Sequence, residues 1–152
     1  MMKLLMTIGL LMAMATSAYA DKEMTPPAQH FVEMWNKDPN DKSRRMIFSQ
    51  EIVTIDAGDS VTWLATDKGH NVQFIGGPAG AKLPKKSKIS KDVTITFDTP
   101  GVYVYVCTPH ATMGMIGVVV VGEATAETIA QAADAKVRGK SKKKLEELLA
   151  TL

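Results

Sequence analysis

Nine residues, Cys107-Thr108-Pro109-His110-Ala111-Thr112-Met113-Gly114-Met115, carry a thiol, an imidazole and thioether donors within one short stretch. Thiolate and thioether are soft donors that favour Cu(I), and imidazole also accepts Cu(II), so together they suit a copper ion that changes oxidation state. A second imidazole would complete a set of two His, one Cys and a weak axial Met. His70, in Asp67-Lys68-Gly69-His70-Asn71-Val72, is the best placed of the three histidines to supply it. The expected ligands are therefore His70, Cys107, His110 and Met115.

Taken singly, each of these residues has an ordinary reading. A lone Cys is usually a small buried hydrophobe, and Met, of which there are ten, usually fills core. The joint spacing argues otherwise. His110 follows Cys107 by three positions and Met115 follows it by eight, with Pro109 and Gly114 between them. Pro and Gly punctuate turns, so the stretch reads as one tight loop closing on an ion and not as a helical core stripe.

The elements that must position this loop begin after a leader. Lys3, the apolar run Leu4 to Ala15 and the small residues ending Ala18-Tyr19-Ala20 form a secretory signal with an A-x-A type cleavage site. The apolar run is short for a membrane span, so no membrane anchor is expected after cleavage. The mature chain is expected to start at Asp21, and residues 21–152 are long enough for one domain with a real core. An exported chain with a single cysteine has no internal disulfide, so its fold rests on packing, and ligation to metal would protect the odd thiol. The formal charge is +2 with Lys3 included, so the mature chain is nearly balanced. Global charge gives no nucleic-acid role, and steering of a partner must come from local clusters.

Residues 21–29, with Pro26-Pro27, read as a loose lead. Strands are expected at Phe31 to Trp35, Met46 to Phe48, Glu51 to Ile55, Ser60 to Leu64, Val72 to Ile75, Asp92 to Phe97, Val102 to Val106 and Ile116 to Val121. Asn36 to Arg45 reads as a polar loop. Turn signals stand at Ala57-Gly58-Asp59, Gly76-Gly77-Pro78 and Pro100-Gly101. Seven or eight short strands so separated predict an all-β sandwich, with Cys107 delivered at the end of an apolar strand. After Gly122 the period changes. Ala124 to Val137 and Ser141 to Leu152 predict two C-terminal helices, the second with Leu145, Leu148, Leu149 and Leu152 on one face and Ser141 as its N-cap. Lys140, Lys142, Lys143 and Lys144 read as the solvated face of a helix start.

The run Cys107 to Met115 followed by Ile116-Gly117-Val118, with Asp67 to Val72 upstream, resembles the pseudoazurins, small periplasmic blue-copper proteins of the cupredoxin family. The loop spacing is shared with the plastocyanins, and the C-terminal helical extension favours the pseudoazurins. The resemblance implies a Greek-key β-sandwich to about residue 122, with the helices at about 124–152. It implies one type 1 copper on His70, Cys107, His110 and Met115, with His70 buried and His110 the electron exit. It further implies that Asn36, Asn71 and Thr108 tether the ligand loops and that Met46 and Met113 border an apolar docking patch. Ala111 and Thr112 depart from the family pattern and alter the contour of that patch.

By the same resemblance the protein is a soluble periplasmic monomer that shuttles single electrons from a c-type cytochrome or similar donor to a reductase such as copper nitrite reductase. Lys82, Lys85, Lys86, Lys88 and Lys91 crowd a segment without acidic residues, and Lys68 lies two residues before His70. If they ring the edge around His110, they would steer an acidic partner. A copper store or chaperone is the binding-class rival, and it would call for more exposed Met or Cys donors. A copper oxidase or reductase would need a second copper or an open coordination position. Three histidines exclude a trinuclear cluster within one chain, so no enzymatic activity is expected. His30, without a ligand-spaced neighbour, reads as a surface or strand-edge residue.

Overall fold

The computed structural model describes residues 26–152. The expected leader, its cleavage after Ala20 and the start of the mature chain at Asp21 lie outside the described residues. Eight strands follow in order: β1 (Gln29–Lys37), β2 (Arg45–Phe48), β3 (Ile52–Ile55), β4 (Ser60–Leu64), β5 (Gln73–Gly76), β6 (Val93–Thr96), β7 (Gly101–Val106) and β8 (Ile116–Val121). Two helices, α1 (Ala126–Ala133) and α2 (Lys140–Leu149), end the chain. The strands form two four-stranded sheets, ordered β2-β1-β4-β6 and β3-β8-β7-β5. The β1–β4 and β3–β8 pairs are parallel and the others antiparallel. This is the expected all-β Greek-key sandwich with two C-terminal helices.

The two sheets bury their residues differently, and the sequence pattern shows why. Strand β6 alternates Val93 and Ile95 toward the core with Thr94 and Thr96 toward solvent, because its sheet is covered on one side only. Strands β7 and β8 are buried at every position. Tyr103, Tyr105, Val119 and Val121 face the other sheet, while Val102, Val104, Val106, Ile116, Val118 and Val120 face outward under Ala132, Leu145 and Leu149 of the helices. Each such fully buried valine is worth about 1.5–3 kcal/mol. The helices are therefore the cover that lets β7 and β8 be apolar on both faces.

The inter-sheet core is aromatic. Trp63 meets Tyr105 at 5.1 Å and Phe74 at 5.7 Å between ring centroids, both edge to face, and Phe48 meets Tyr105 at 4.8 Å. Pairs in this geometry add about 0.5–1.5 kcal/mol each beyond the area they bury. A floor of this kind under Cys107 is stiff.

Several boundaries move from their expected places. β1 runs on to Lys37, because Trp35 and Lys37 pair with Ile47 and Arg45 of β2, so Asn36 is a strand residue and Arg45 belongs to β2. α1 stops at Ala133, leaving Val137 outside it, and starts from a capping box between Thr125 and Thr128. Ser141 is not the N-cap of α2. Gly139 holds that position, and Ser141 lies inside the first turn, fully buried. Leu152 falls beyond α2 and is exposed, so the buried stripe ends at Leu149. Among the described residues no helix is long and apolar enough to cross a membrane.

One polar clip closes the end of the sandwich remote from Cys107. The Asp59 carboxylate accepts from the backbone N–H of Ala28 at 2.7 Å and of Asp56 at 3.2 Å, and from His30 Nε2 at 2.9 Å. His30 is thus engaged on β1, far from the ligand loop. The hydrogen bond from His30, followed by that from Ala28, holds the Asp59 carboxyl below its ordinary value of 3.8. A lowered carboxyl contributes stability that is present above that value and is lost as pH falls through the native one. Asp59→Asn is expected to lower the thermal midpoint at pH 7, with variant and wild type converging below pH 3.8. An equal gap at both pH values would contradict the clip.

Candidate metal centre

The pairing of β7 with β8 sets two of the expected ligands side by side. Val106 stands opposite Ile116, and one step further the Cys107 N–H donates to the Met115 carbonyl at 3.0 Å. Strand alternation turns both side chains to the inner face, where Cys107 and Met115 are completely buried in the inter-sheet core. Between them Thr108–Met113 forms a short 3₁₀ helix. Pro109 suits its first turn, having no N–H to lose. Gly114, at φ 101°, ends it in the left-handed conformation. The His110 N–H donates to the Cys107 carbonyl at 3.1 Å, and the Met115 N–H to the His110 carbonyl at 3.3 Å, so His110 is folded back over the thiol.

His70 arrives from the other direction, on the loop before β5, and is fully buried. Its Nδ1 lies 3.5 Å from Cys107 Sγ and 3.2 Å from His110 Nδ1, and His110 Nδ1 lies 3.5 Å from the same sulfur. Among the described residues His70, Cys107 and His110 are the one group of its kind able to hold a metal, with donor atoms within 4.8 Å of one another. First-row ions bond histidine nitrogen at about 2.0 Å and cysteine sulfur at about 2.3 Å, so a trigonal plane spaces such donors by roughly 3.5–3.8 Å. The triangle in this protein, with sides of 3.2, 3.5 and 3.5 Å, comes within a few tenths of an ångström of that size. Its soft sulfur and two imidazoles fit copper, and Met115 is buried in the same core beside Cys107.

Neighbouring side chains orient the donors. Asn36 Oδ1 lies 3.0 Å from His70 Nε2, so that nitrogen carries the proton and Nδ1 keeps its lone pair toward the triangle. Asn36 is itself held by its N–H on the Asp67 carboxylate at 2.6 Å. The Asn71 side-chain Oδ1 accepts from both the N–H and the hydroxyl of Thr108 at 2.9 Å, joining the His70 loop to the ligand loop. These are the tethers that the resemblance implied for Asn36, Asn71 and Thr108.

Sequence reading missed Ser87 and Ser90, which lie within the lysine segment. Ser90 donates its N–H to the His70 carbonyl at 2.8 Å and accepts from the Gly69 N–H, while Ser87 accepts from the Val72 N–H at 2.9 Å. Two serines in a lysine-rich run carry no local signal of this role. The segment thus brings Lys86, Lys88 and Lys91 to the His70 end, whereas Lys82 lies beside Asp98 and Thr99 at the start of β7, the remote end. At the ligand loop, Met113 is half exposed and shares a surface cleft with Arg45, Lys140, Lys143 and Lys144.

The profile of the copper binding proteins, plastocyanin/azurin family, matches residues 36–122. A pseudoazurin of Methylorubrum extorquens is 39% identical over 123 residues, which cover 78% of this chain and 80% of that one. A pseudoazurin of Paracoccus pantotrophus is 37% identical over 142 residues, 92% of this chain and 90% of the relative. The chain belongs to the pseudoazurins. The crystal structure of native pseudoazurin from Hyphomicrobium denitrificans superposes with a TM-score of 0.72 at 36% identity, covering 82% of this chain and 98% of that one. As a pseudoazurin the protein is a copper electron carrier with redox partners, in a family of carriers and not of enzymes.

Burial sets the proton affinities of the metal-free centre. Desolvation, then the nearness of His110, pushes the His70 imidazole below its ordinary 6.5, with Asp67 opposing. Desolvation pushes His110 down as well, and it pushes the Cys107 thiol up against the pull of the Asn71 and His110 N–H groups. Lowered imidazoles mean that the unfolded chain binds more protons below pH 6.5, so native stability is complete above that pH and is lost as pH falls. The metal-free protein is expected to show a lower thermal midpoint at pH 5 than at pH 7.5, and His70→Gln should reduce the difference. A midpoint independent of pH across that range would contradict buried neutral imidazoles.

Proposed function

We propose that His70, Cys107, His110 and Met115 together hold one type 1 copper, and that this pseudoazurin works as a soluble monomeric carrier in the periplasm. In this reading it moves one electron at a time from a c-type cytochrome or similar donor to a reductase such as copper nitrite reductase. The export signal read at residues 1–20 supports the compartment. The observation that carries the reading is the preformed triangle of two imidazole nitrogens and one thiol sulfur, buried over an aromatic floor. When bound, copper supplies a one-electron couple. The protein contributes a ligand geometry that folding has already set, so that little need rearrange between oxidation states.

His70 is sealed inside and held by Asn36, whereas His110 is only partly covered and stands beside exposed Met113. That asymmetry supports His110 as the point of electron entry and exit, with Met113 at the docking edge. One buried thiol in a closed loop argues against a store or chaperone, which needs donors open to exchange. The remaining histidine, His30, is engaged by Asp59, which argues against a second copper and hence against an enzyme. Lys68, Lys85, Lys86, Lys88 and Lys91 are proposed to guide an acidic face of the partner toward His110. Lys82, included with them on sequence, has the weakest position for that role because it lies toward the remote end.

Cys107→Ala is expected to abolish the intense visible thiolate-to-copper band, and a variant that kept the band would overturn the ligand set. Met115→Leu should still bind copper, because a thioether is the weakest donor of the four, and should raise the reduction potential by removing axial donation to Cu(II). An unchanged potential and spectrum would remove Met115 from the site. For docking, stopped-flow electron transfer to an acidic acceptor should be slower for Lys85→Glu/Lys86→Glu than for wild type. Its salt dependence should be shallower as well, since rim charges act on association over a Debye length of about 8–10 Å. Identical rates and salt slopes would sink the steering role.

A further inference from the structure

Three residues between His110 and Met115 are in contact with α2. The Ser141 hydroxyl, on the first turn of α2 and completely buried, donates a hydrogen bond to the Ala111 carbonyl. Gly139, the N-cap at φ 61°, lies so close to Thr112 that a Cβ there would stand 2.5 Å from its carbonyl oxygen and 2.9 Å from its Cα. Lys140 and Lys144 lie over Gly114, with carbons 3.5 and 3.9 Å from the point where a side chain on it would begin. The helix is anchored independently of the loop. Lys144 pairs with Glu51, whose carbonyl accepts from Val118 of β8 at 2.8 Å, while Leu145 and Leu149 pack on the outer face of the sheet.

We propose that α2 is a brace for the ligand-bearing loop, and that Ser141 is a positioning residue which sets His110 and Met115 against Cys107 through the Ala111 carbonyl. The proposal rests on the reading of these residues as copper ligands. Its physical basis is the geometry of the loop. A 3₁₀ helix has poorer internal hydrogen bonds than an α-helix, and this one is a single short piece. The Ala111 carbonyl that Ser141 engages is the acceptor of the Gly114 N–H, the bond that closes the turn before Met115. Pulling on that carbonyl fixes the turn from outside. A buried hydroxyl has no water to turn to, so removing it leaves the carbonyl with only its long 3.2 Å bond from Gly114. The arrangement makes the C-terminal helices part of the metal centre's mechanics as well as a cover for the sheet.

The test compares wild type, Ser141→Ala and Leu149→Ala, each metal-free and copper-loaded. Leu149 packs in the last turn of α2, so its truncation loosens the helix without touching the loop. In metal-free Ser141→Ala, hydrogen exchange at the Gly114 and Met115 amides should be roughly three- to tenfold faster relative to the Val102–Val106 amides, the range of one lost hydrogen bond. In the copper-loaded variant the intensity ratio of the visible bands and the reduction potential should shift. Leu149→Ala should lower the thermal midpoint yet keep the wild-type exchange ratio, spectrum and potential. Wild-type exchange and spectrum in Ser141→Ala would overturn the brace, as would an equal spectral shift in Leu149→Ala. A wild-type protein without a thiolate-to-copper band would overturn the ligand reading instead, and the metal-free exchange ratio would still decide whether α2 braces the loop.

Discussion

Everything at the metal centre depends on the antiparallel pairing that carries Val106 past Ile116 and ends with the Cys107 N–H on the Met115 carbonyl. A slip of one residue in this register would turn either Cys107 or Met115 to the outer face, under the helices, and separate the two sulfurs. The register is secured because both faces are buried. Tyr103, Tyr105, Val119 and Val121 must meet the opposite sheet while the valines between them meet the helices, so a one-residue slip would exchange the two sets in one strand. The same pairing leaves a loop of fixed span between Cys107 and Met115, into which Pro109 and Gly114 fit a single 3₁₀ turn that brings His110 back over the sulfur.

Taking two imidazoles and a thiol largely out of solvent is costly, and the structure limits that cost by favouring the neutral form of all three before metal binds. Desolvation is the first cause of each shift at the centre, down for His70 and His110 and up for Cys107. Asn36 and Asn71 then supply partners for groups that would otherwise be buried and unsatisfied. A cofactor that gains or loses one electron in such a setting finds its donors already at the right spacing. The stiffness that this requires comes from the aromatic cluster of Phe48, Trp63, Phe74 and Tyr105 below and from the serine-bearing lysine segment beside His70. Electron transfer thus draws on the whole sandwich and not on the loop alone.

The second sheet is the mechanical centre of the molecule. One face of β7 and β8 leads to Cys107 and Met115, and the other supports α1 and α2. A helix seated on the outer face at this end of the sheet is within reach of the loop that emerges from it. Ser141 uses that reach. The polar residue inside an otherwise apolar interface is explained by its partner, a loop carbonyl that nothing apolar could engage.

The sequence by itself determined the donor types, a sandwich of seven or eight strands and the two helices. Local spacing and hydrophobic period are properties of neighbouring residues, and they survive without knowledge of the fold. That Cys107, His110 and Met115 would lie close together was legible because one loop carries all three, and that His70 would join Cys107 and His110 because so few histidines compete with it. The continuation of β1 through Asn36 was not legible. It depends on pairing with β2, and only that pairing brings Asn36 near His70, 34 residues away. Ser141 looked like an N-cap because Ser suits that position, but the approach of α2 to Thr112 placed Gly139 there and freed the hydroxyl for Ala111. Ser87 and Ser90 carry no local signal, and their role exists only because the loop around His70 folds onto them. Tertiary structure decided these matters because each is a contact between segments distant in the chain, where residue type says what a group can bond and only packing says what it meets.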